Sequence, residues 1–245
     1  MGISETHIIG GITGGIGSRL AQKFANEGHK VAGFARSDAG AEFESFETLT
    51  CDATDASSVA DGIEELYGRI GQVDSYTHAI GSIFLKPAHL TSPEDFTATM
   101  QTNLSSAFYA LRAVARLMMK QGSGSILFFS TAAAQTGIAN HEAIAAAKGG
   151  IEAMVRSAAA TYSARGIRVN AIAPSLTDTQ LAKPLIGDEK ARRISEKMHP
   201  LGQIGSPDDI ASLAQWLHSD AAKFVTGQTF VVDGGISSIV PKPKM

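Results

Sequence analysis

His7-Ile8-Ile9-Gly10-Gly11-Ile12-Thr13-Gly14-Gly15-Ile16-Gly17 is the stretch that decides the fold. A short strand-like run ends at Gly10, a glycine-rich turn follows without a break, and helix-period sequence begins near Ile16. Small residues at such a turn let backbone amides and a helix N-terminus approach a pyrophosphate. Glycine-rich turns also serve simply to pack a helix onto a sheet, so the run alone admits both readings.

Outward from this turn, short apolar runs alternate with longer helix-period segments almost from end to end. That is the pattern of a parallel sheet covered on both faces by helices. Strands are expected at His7 to Gly10, Lys30 to Ala35, Thr48 to Cys51, Val73 to Ile80, Ser125 to Ser130, Ile167 to Ala173 and Thr229 to Val232. Helices are expected to begin near Ile16, Ser57, Ser92, His141 and Pro207. Ser92-Pro93-Glu94-Asp95 and Ser206-Pro207-Asp208-Asp209 each combine an N-cap serine, a first-turn proline and early acids. The expectation is an α/β fold, a single doubly wound domain over residues 1–245 whose seven-stranded parallel sheet is flanked by helices on both faces. The irregular stretch from Ser175 to Leu201, with helix-like content in its middle, is the candidate for a lid over a substrate.

Composition narrows the partners. With 44% hydrophobic residues, 18% charged residues and 25 glycines, the 245-residue chain can bury a sizeable core and needs many tight turns. A net charge of -3 with no basic block gives no electrostatic reason to expect nucleic acid or an anionic membrane, so a small-molecule substrate is the expected partner. Cys51 is the single cysteine, which rules out an internal disulfide and suits the cytoplasm. No long apolar span is present. Met1-Gly2-Ile3-Ser4-Glu5-Thr6 formally matches a myristoylation start, but it runs directly into the first strand and lipidation is not expected. No metal is expected.

The glycine spacing resembles the Gly-x-x-x-Gly-x-Gly of the short-chain dehydrogenase/reductase family, a Rossmann-type fold, carried here by Gly11, Gly15 and Gly17 with Ile16 between them. Cys51-Asp52-Ala53 resembles the segment whose aspartate contacts an adenine. Asn170-Ala171-Ile172-Ala173-Pro174-Ser175-Leu176-Thr177-Asp178-Thr179 resembles the loop that holds a nicotinamide carboxamide, and Val231-Val232-Asp233-Gly234-Gly235 the C-terminal strand and turn. By this resemblance Gly11, Gly15, Ile16, Gly17, Asp52, Pro174 and Thr179 would bind a nicotinamide dinucleotide, with Lys148 on the ribose. After the second strand Ala35 stands where an acid would accept the ribose 2'-hydroxyl, and Arg36 follows. An arginine there welcomes a 2'-phosphate, so NADP(H) is favoured over NAD(H), unless Arg36 is only a solvated residue.

The resemblance also exposes departures. The family uses an Asn-Ser-Tyr-Lys set in which lysine lowers the pKa of a phenol four residues before it. Here Lys148 is preceded at that position by Ile144, in His141-Glu142-Ala143-Ile144-Ala145-Ala146-Ala147-Lys148. Asn103 holds the asparagine place in Met100-Gln101-Thr102-Asn103-Leu104-Ser105, mid-helix, where asparagine is a poor helix former. Thr131, beside Ser130, holds the serine place and can still donate a hydroxyl hydrogen bond. After the fourth strand the family's Asn-Asn-Ala-Gly becomes His78-Ala79-Ile80-Gly81, where His78 reads as a packed or hydrogen-bonded brace. His141 stands seven residues before Lys148, a spacing similar to that of the tyrosine in the divergent enoyl reductases of the same superfamily. With an ordinary pKa near ~6.5 it could pass a proton, or it could be a surface residue of a helix's first turn. Lys86 and His89 are candidates to meet an acidic or phosphorylated substrate, or simply solvated charges.

Two functions follow. The first is an NADP(H)-dependent oxidoreductase that reduces a polarised carbonyl or a conjugated double bond, with Asn103, Thr131, Lys148 and His141 as its catalytic set. Losing a general acid costs roughly 10²- to 10⁴-fold, so a missing tyrosine does not end hydride chemistry. It argues against ordinary alcohol oxidation, in which a hydroxyl must be deprotonated. The second is a catalytically silent dinucleotide-binding protein acting as a sensor, regulatory subunit or scaffold. Alanine-rich, weakly charged faces on the helices from Ser92 to Met119 and from His141 to Ser163 resemble those that pair across two-fold axes in relatives, so a homotetramer is expected, with a dimer as fallback.

Overall fold

In the computed structural model, which describes residues 4–240, seven strands form one parallel sheet in the order β3-β2-β1-β4-β5-β6-β7. The strands are β1 (Thr6–Gly10), β2 (Lys30–Ala35), β3 (Glu47–Thr50), β4 (Ser75–His78), β5 (Gly124–Phe129), β6 (Ile167–Pro174) and β7 (Thr229–Val232). The myristoylation-like start at Gly2 lies outside the described residues. Alternate residues of each strand face opposite layers. Ile8, Tyr76, Ile126, Phe128 and Val169 pack with α2 (Ala56–Ile70), α4 (Ser106–Gln121) and α5 (Glu142–Tyr162). Ile9, Leu127, Phe129 and Ile172 pack with α1 (Gly15–Asn26) and α8 (Pro207–His218). This is the expected single doubly wound, Rossmann-type domain. No helix among the described residues is long and apolar enough to cross a membrane.

The order reverses between β1 and β4, which opens a crevice at the carboxyl ends of the strands. The β1–α1 turn sits beside it, and two glycines make it possible. Gly11 has φ +81, and a Cβ there would stand 2.7 Å from the Ala79 carbonyl oxygen. A Cβ on Gly17 would stand 2.3 Å from the Gly11 carbonyl oxygen, so α1 can close onto the turn only without one.

One helical segment departs from expectation. The segment from Ser92 to Met119 is not continuous: α3 (Pro93–Met100), capped by Ser92, gives way to a π-helical turn at Gln101–Ser105 before α4 starts. Asn103 lies in that turn, where the widened backbone suits a residue that disfavours an α-helix interior. The stretch after β6 has the helical content that its middle suggests. It contains α6 (Lys183–Ile186) and α7 (Glu189–Met198), and α7 buries none of its residues. The strand expected from Val73 to Ile80 is shorter because the Val73 backbone is clamped at both its N–H and its carbonyl by the Gln121 side chain.

Candidate active site

The ends of β1, β4, β5 and β6, the turn after β7 and the segment after β6 enclose a cavity of about 430 Å³. Its wall is mostly apolar, with Ile16, Ile80, Ile138, Leu176, Leu185 and Met198 among its residues. Asn103, Thr131, His141, Ile144 and Lys148 all line it, as do Pro174 and Thr179. The residues of the expected catalytic set therefore converge, although they come from a π-helical turn, a strand end and one helix.

Lys148 is 7% exposed and its ammonium donates to the Phe129 carbonyl at 3.0 Å. Burial lowers its pKa from 10.5 to about 8. Ile144, one helical turn earlier, is buried and faces the same space. An apolar side chain thus occupies the helix position from which a phenol would have faced this lysine. Asn103 is fully buried. Its amide donates to Thr99 O at 3.0 Å and Ser82 Oγ at 2.9 Å, and its Oδ1 accepts from Ser82 N at 3.0 Å. Both N–H groups are thereby committed to the protein, and Asn103 holds the Gly81–Ser82 loop against Lys148.

Thr131 accepts a 3.3 Å hydrogen bond from Ala133 N at its hydroxyl oxygen, leaving its own proton free to be donated. Ser130 instead turns inward, donating to Glu152 Oε1 at 2.7 Å. His141 is half-buried at the start of α5, and its Nδ1 donates to the Ala139 carbonyl at 2.8 Å. His78 is the brace the sequence suggests, bridging the Tyr76 hydroxyl and Ser106 Oγ at 2.9 and 3.0 Å. Burial, helped by the Lys148 charge, pushes its pKa down to about 3 and keeps it neutral. Lys86 pairs with Asp95 at 3.6 Å, and neither it nor His89 lines the cavity.

The residues present fit a dinucleotide. Gly14 caps α1 with no side-chain bond and no acid follows in the first turn, which leaves the helix N-terminus open to an anion. A Cβ on Gly15 would meet Thr179 Cγ2 at 2.8 Å, so the turn and the loop after β6 approach as closely as glycine allows. Farther along the sheet edge, Arg36 and Asp52 are exposed just beyond β2 and β3. Hydrogen bonds from Thr54 lower the Asp52 carboxyl below its ordinary range, with Arg36 adding to the effect.

Two cavity residues escape sequence reading. Ser175 is quoted above only as part of a loop and His199 only as part of a lid, yet the structure brings them together, with Nε2 2.9 Å from Oγ. No spacing signals this, because they lie on separate segments 24 residues apart. Elsewhere, the donor atoms of Glu5, His7 and His29 lie within 4.8 Å of one another. His29 Nδ1 accepts the Glu5 N–H, so its Nε2 carries the hydrogen, and the cluster is not arranged to ligate a metal.

Comparison with known proteins accords with this geometry. A family model described as "Enoyl-(Acyl carrier protein) reductase" matches residues 11–237. D-threitol dehydrogenase of Mycolicibacterium smegmatis is 30% identical over 237 residues, covering 93% of this chain and 91% of that protein. The 3-oxoacyl-(acyl-carrier-protein) reductase FabG of Escherichia coli K12 is 31% identical over 235 residues, covering 94% and 96%. A gluconate 5-dehydrogenase from Burkholderia cenocepacia, solved in complex with NADP and tartrate, superposes with a TM-score of 0.91 at 28% identity, covering 97% of each chain. The chain belongs to the short-chain dehydrogenase/reductase family of oxidoreductases, as a member similar to the 3-oxoacyl-(acyl-carrier-protein) reductases, with Ile144 four residues before its active-site-helix lysine.

Proposed function

We propose that the protein is an NADP(H)-dependent oxidoreductase that reduces a polarised carbonyl or a conjugated double bond of a small, largely apolar molecule. The observation that carries this reading is the cavity itself, which Thr131 and Lys148 both line, with Ile16 of the glycine turn, within mostly apolar walls. Gly11, Gly15, Ile16 and Gly17 would hold the pyrophosphate, Asp52 the adenine, and Lys148, Pro174 and Thr179 the nicotinamide end. Arg36, with no acid in place of Ala35, favours a 2'-phosphate and hence NADP(H) over NAD(H). When bound, this cofactor supplies the hydride.

The chain's own residues do the rest. The Thr131 hydroxyl donates to the substrate oxygen and holds the carbonyl in line, with Asn103 keeping the Gly81–Ser82 side of the cavity in place. Lys148 puts a buried positive charge near the oxygen as negative charge grows there. A proton comes from His141, at the start of α5, or from water. Residues 175–201 act as a lid: Leu181, Leu185 and Met198 close the apolar wall, and α7 has no buried residue to anchor it. The cytoplasm suits a chain with one buried, unpaired cysteine. Exposed Phe108 and Met119 on α4 support self-association as a tetramer or dimer, which sedimentation velocity measures.

Ile144 favours one competing reading, a dinucleotide-binding sensor or scaffold without turnover. Anaerobic titration with NADPH and NADH, followed by nicotinamide fluorescence before and after a panel of ketones, quinones and enoyl thioesters, separates the two. Tight NADPH binding with acceptor-dependent loss of fluorescence is expected. Binding without loss across the panel establishes the sensor, and no binding defeats both.

A further inference from the structure

The cavity contains a second titratable pair. Ser175 is the first residue beyond β6 and His199 the first beyond α7, and both line the cavity with Thr131, Ile144 and Lys148. His199 Nδ1 lies 2.7 Å from the Ser195 carbonyl oxygen and Nε2 lies 2.9 Å from Ser175 Oγ. A carbonyl can only accept, so Nδ1 carries a hydrogen; in the neutral ring Nε2 is then a bare lone pair that accepts the Ser175 hydroxyl. The tautomer is fixed, and the serine hydroxyl is the ring's partner among the residues that line the cavity.

The ring is enclosed by the turn after β7. His199 is 4% exposed and rests on the backbone of Gly234, at which a Cβ would lie 3.5 Å from the ring's Cδ2. Asp233 precedes that glycine. Burial works against its ionisation, but hydrogen bonds from Ser237 and Gly235 outweigh it and hold the carboxyl below its ordinary range, with His199 adding to the effect. His141, by contrast, has a backbone carbonyl on one nitrogen and, among the described residues, no hydroxyl on the other.

We propose that Ser175 and His199 are the proton relay that takes the place of the absent phenol, an inference that rests on the oxidoreductase reading above. In the reducing direction, with hydride arriving at the substrate carbon from NADPH, the Ser175 O–H bond breaks and a new O–H bond forms on the substrate oxygen. In the same movement His199, which has first taken a proton from water onto Nε2 and is an imidazolium at this stage, gives that proton to Ser175 Oγ. The ring is left neutral with Nδ1–H still on the Ser195 carbonyl, and water returns the missing proton. The pair joins residues 24 apart in sequence, at the two ends of the segment that covers the cavity.

Two measurements test this. Imidazole nitrogen NMR of the wild-type protein, with and without NADP+, should show His199 as the Nδ1–H tautomer. Its Nε2 signal should move on addition of the apolar enone benzylideneacetone, and in Ser175→Ala the response should vanish. In steady-state reduction of the same enone by NADPH, Ser175→Ala and His199→Ala should each lower kcat by roughly 10²-fold with KM and NADPH affinity little changed. Added imidazole should restore part of the His199→Ala rate, and Ser175→Thr should keep most of the activity. Wild-type kcat in His199→Ala, or a loss confined to His141→Ala, overturns the relay. Should the wild type reduce nothing, the oxidoreductase reading fails while the NMR still decides the placement: an enone-dependent Nε2 shift that needs Ser175 upholds it, and an unmoved signal overturns it.

Discussion

Along Gly11 to Gly17 one wall of the site is backbone; across the cavity, along Ile144, Ser175, Leu185 and His199, it is side chains. The first wall works by what is missing. Without Cβ atoms at Gly11, Gly15 and Gly17 the strand end, helix start and Thr179 loop close to within contact, and an uncapped helix N-terminus is left facing outward. The second wall works by what is present, and its members come from α5, the β6 end and the segment around α7. Backbone geometry tolerates few alternatives, whereas side chains on separate segments can be exchanged one at a time without disturbing the sheet. The difference explains how a chain can keep the cofactor turn of its family and lose the phenol opposite.

Installing the phenol is the strongest way to test that contrast. Introduced into His199→Ala, Ile144→Tyr should raise kcat for ketone reduction by roughly 10²-fold, the usual worth of a positioned general acid, with NADPH affinity unchanged. No gain would mean that the substrate wall is already complete without it.

Next in size is the buried lysine between the two walls. The folded Lys148 pKa of about 8 lies below its ordinary 10.5, so between these values the unfolded chain holds more protons. Stability therefore rises with pH across that window, and the full penalty is present below about pH 8. Measured by denaturant unfolding of the cofactor-free protein, the wild type should gain roughly 2–3 kcal/mol on Lys148→Met between pH 7 and pH 10. A gap independent of pH would show that the ammonium is not desolvated. Lys148→Ala should also abolish turnover in the enzyme and merely weaken cofactor binding in a sensor.

Gly17→Ala probes the backbone wall, where the added carbon would press on the Gly11 carbonyl from 2.3 Å. Overpacking of this kind costs about 1–3 kcal/mol, to be seen in the melting transition together with weakened NADPH binding. A variant that melts and binds like the wild type would break the claim that this wall depends on missing atoms. The smallest effect belongs to exposed Arg36. Arg36→Ala should weaken NADPH binding by about tenfold, about 1.4 kcal/mol, and leave NADH binding unchanged. Equal losses for both would remove the argument for a 2'-phosphate.

Much of the fold is legible in the chain because it rests on local pattern. The strands Lys30–Ala35 and Thr229–Val232 begin and end where their apolar runs do. The caps at Ser92 and Ser206 start their helices as their sequences indicate. The misreadings have one source, a partner distant in sequence. Val73 belongs to an apolar run but is held by Gln121, and Asn103 sits in a π-helical turn that no helix period reveals.

For the site, residue type at fixed local spacing is enough to read the glycine turn, Lys148 and the absence of tyrosine before it. It took the packing of the whole chain to show that Ile144 faces the cavity, that Lys86 pairs with Asp95 outside it, and that Asn103 commits its amide to Ser82 and Thr99. That packing alone also brought Ser175 against His199. Local spacing specifies which atoms share a turn or a helix face. Which side chains meet across a cavity depends on how whole elements pack, and that information is spread over the entire chain.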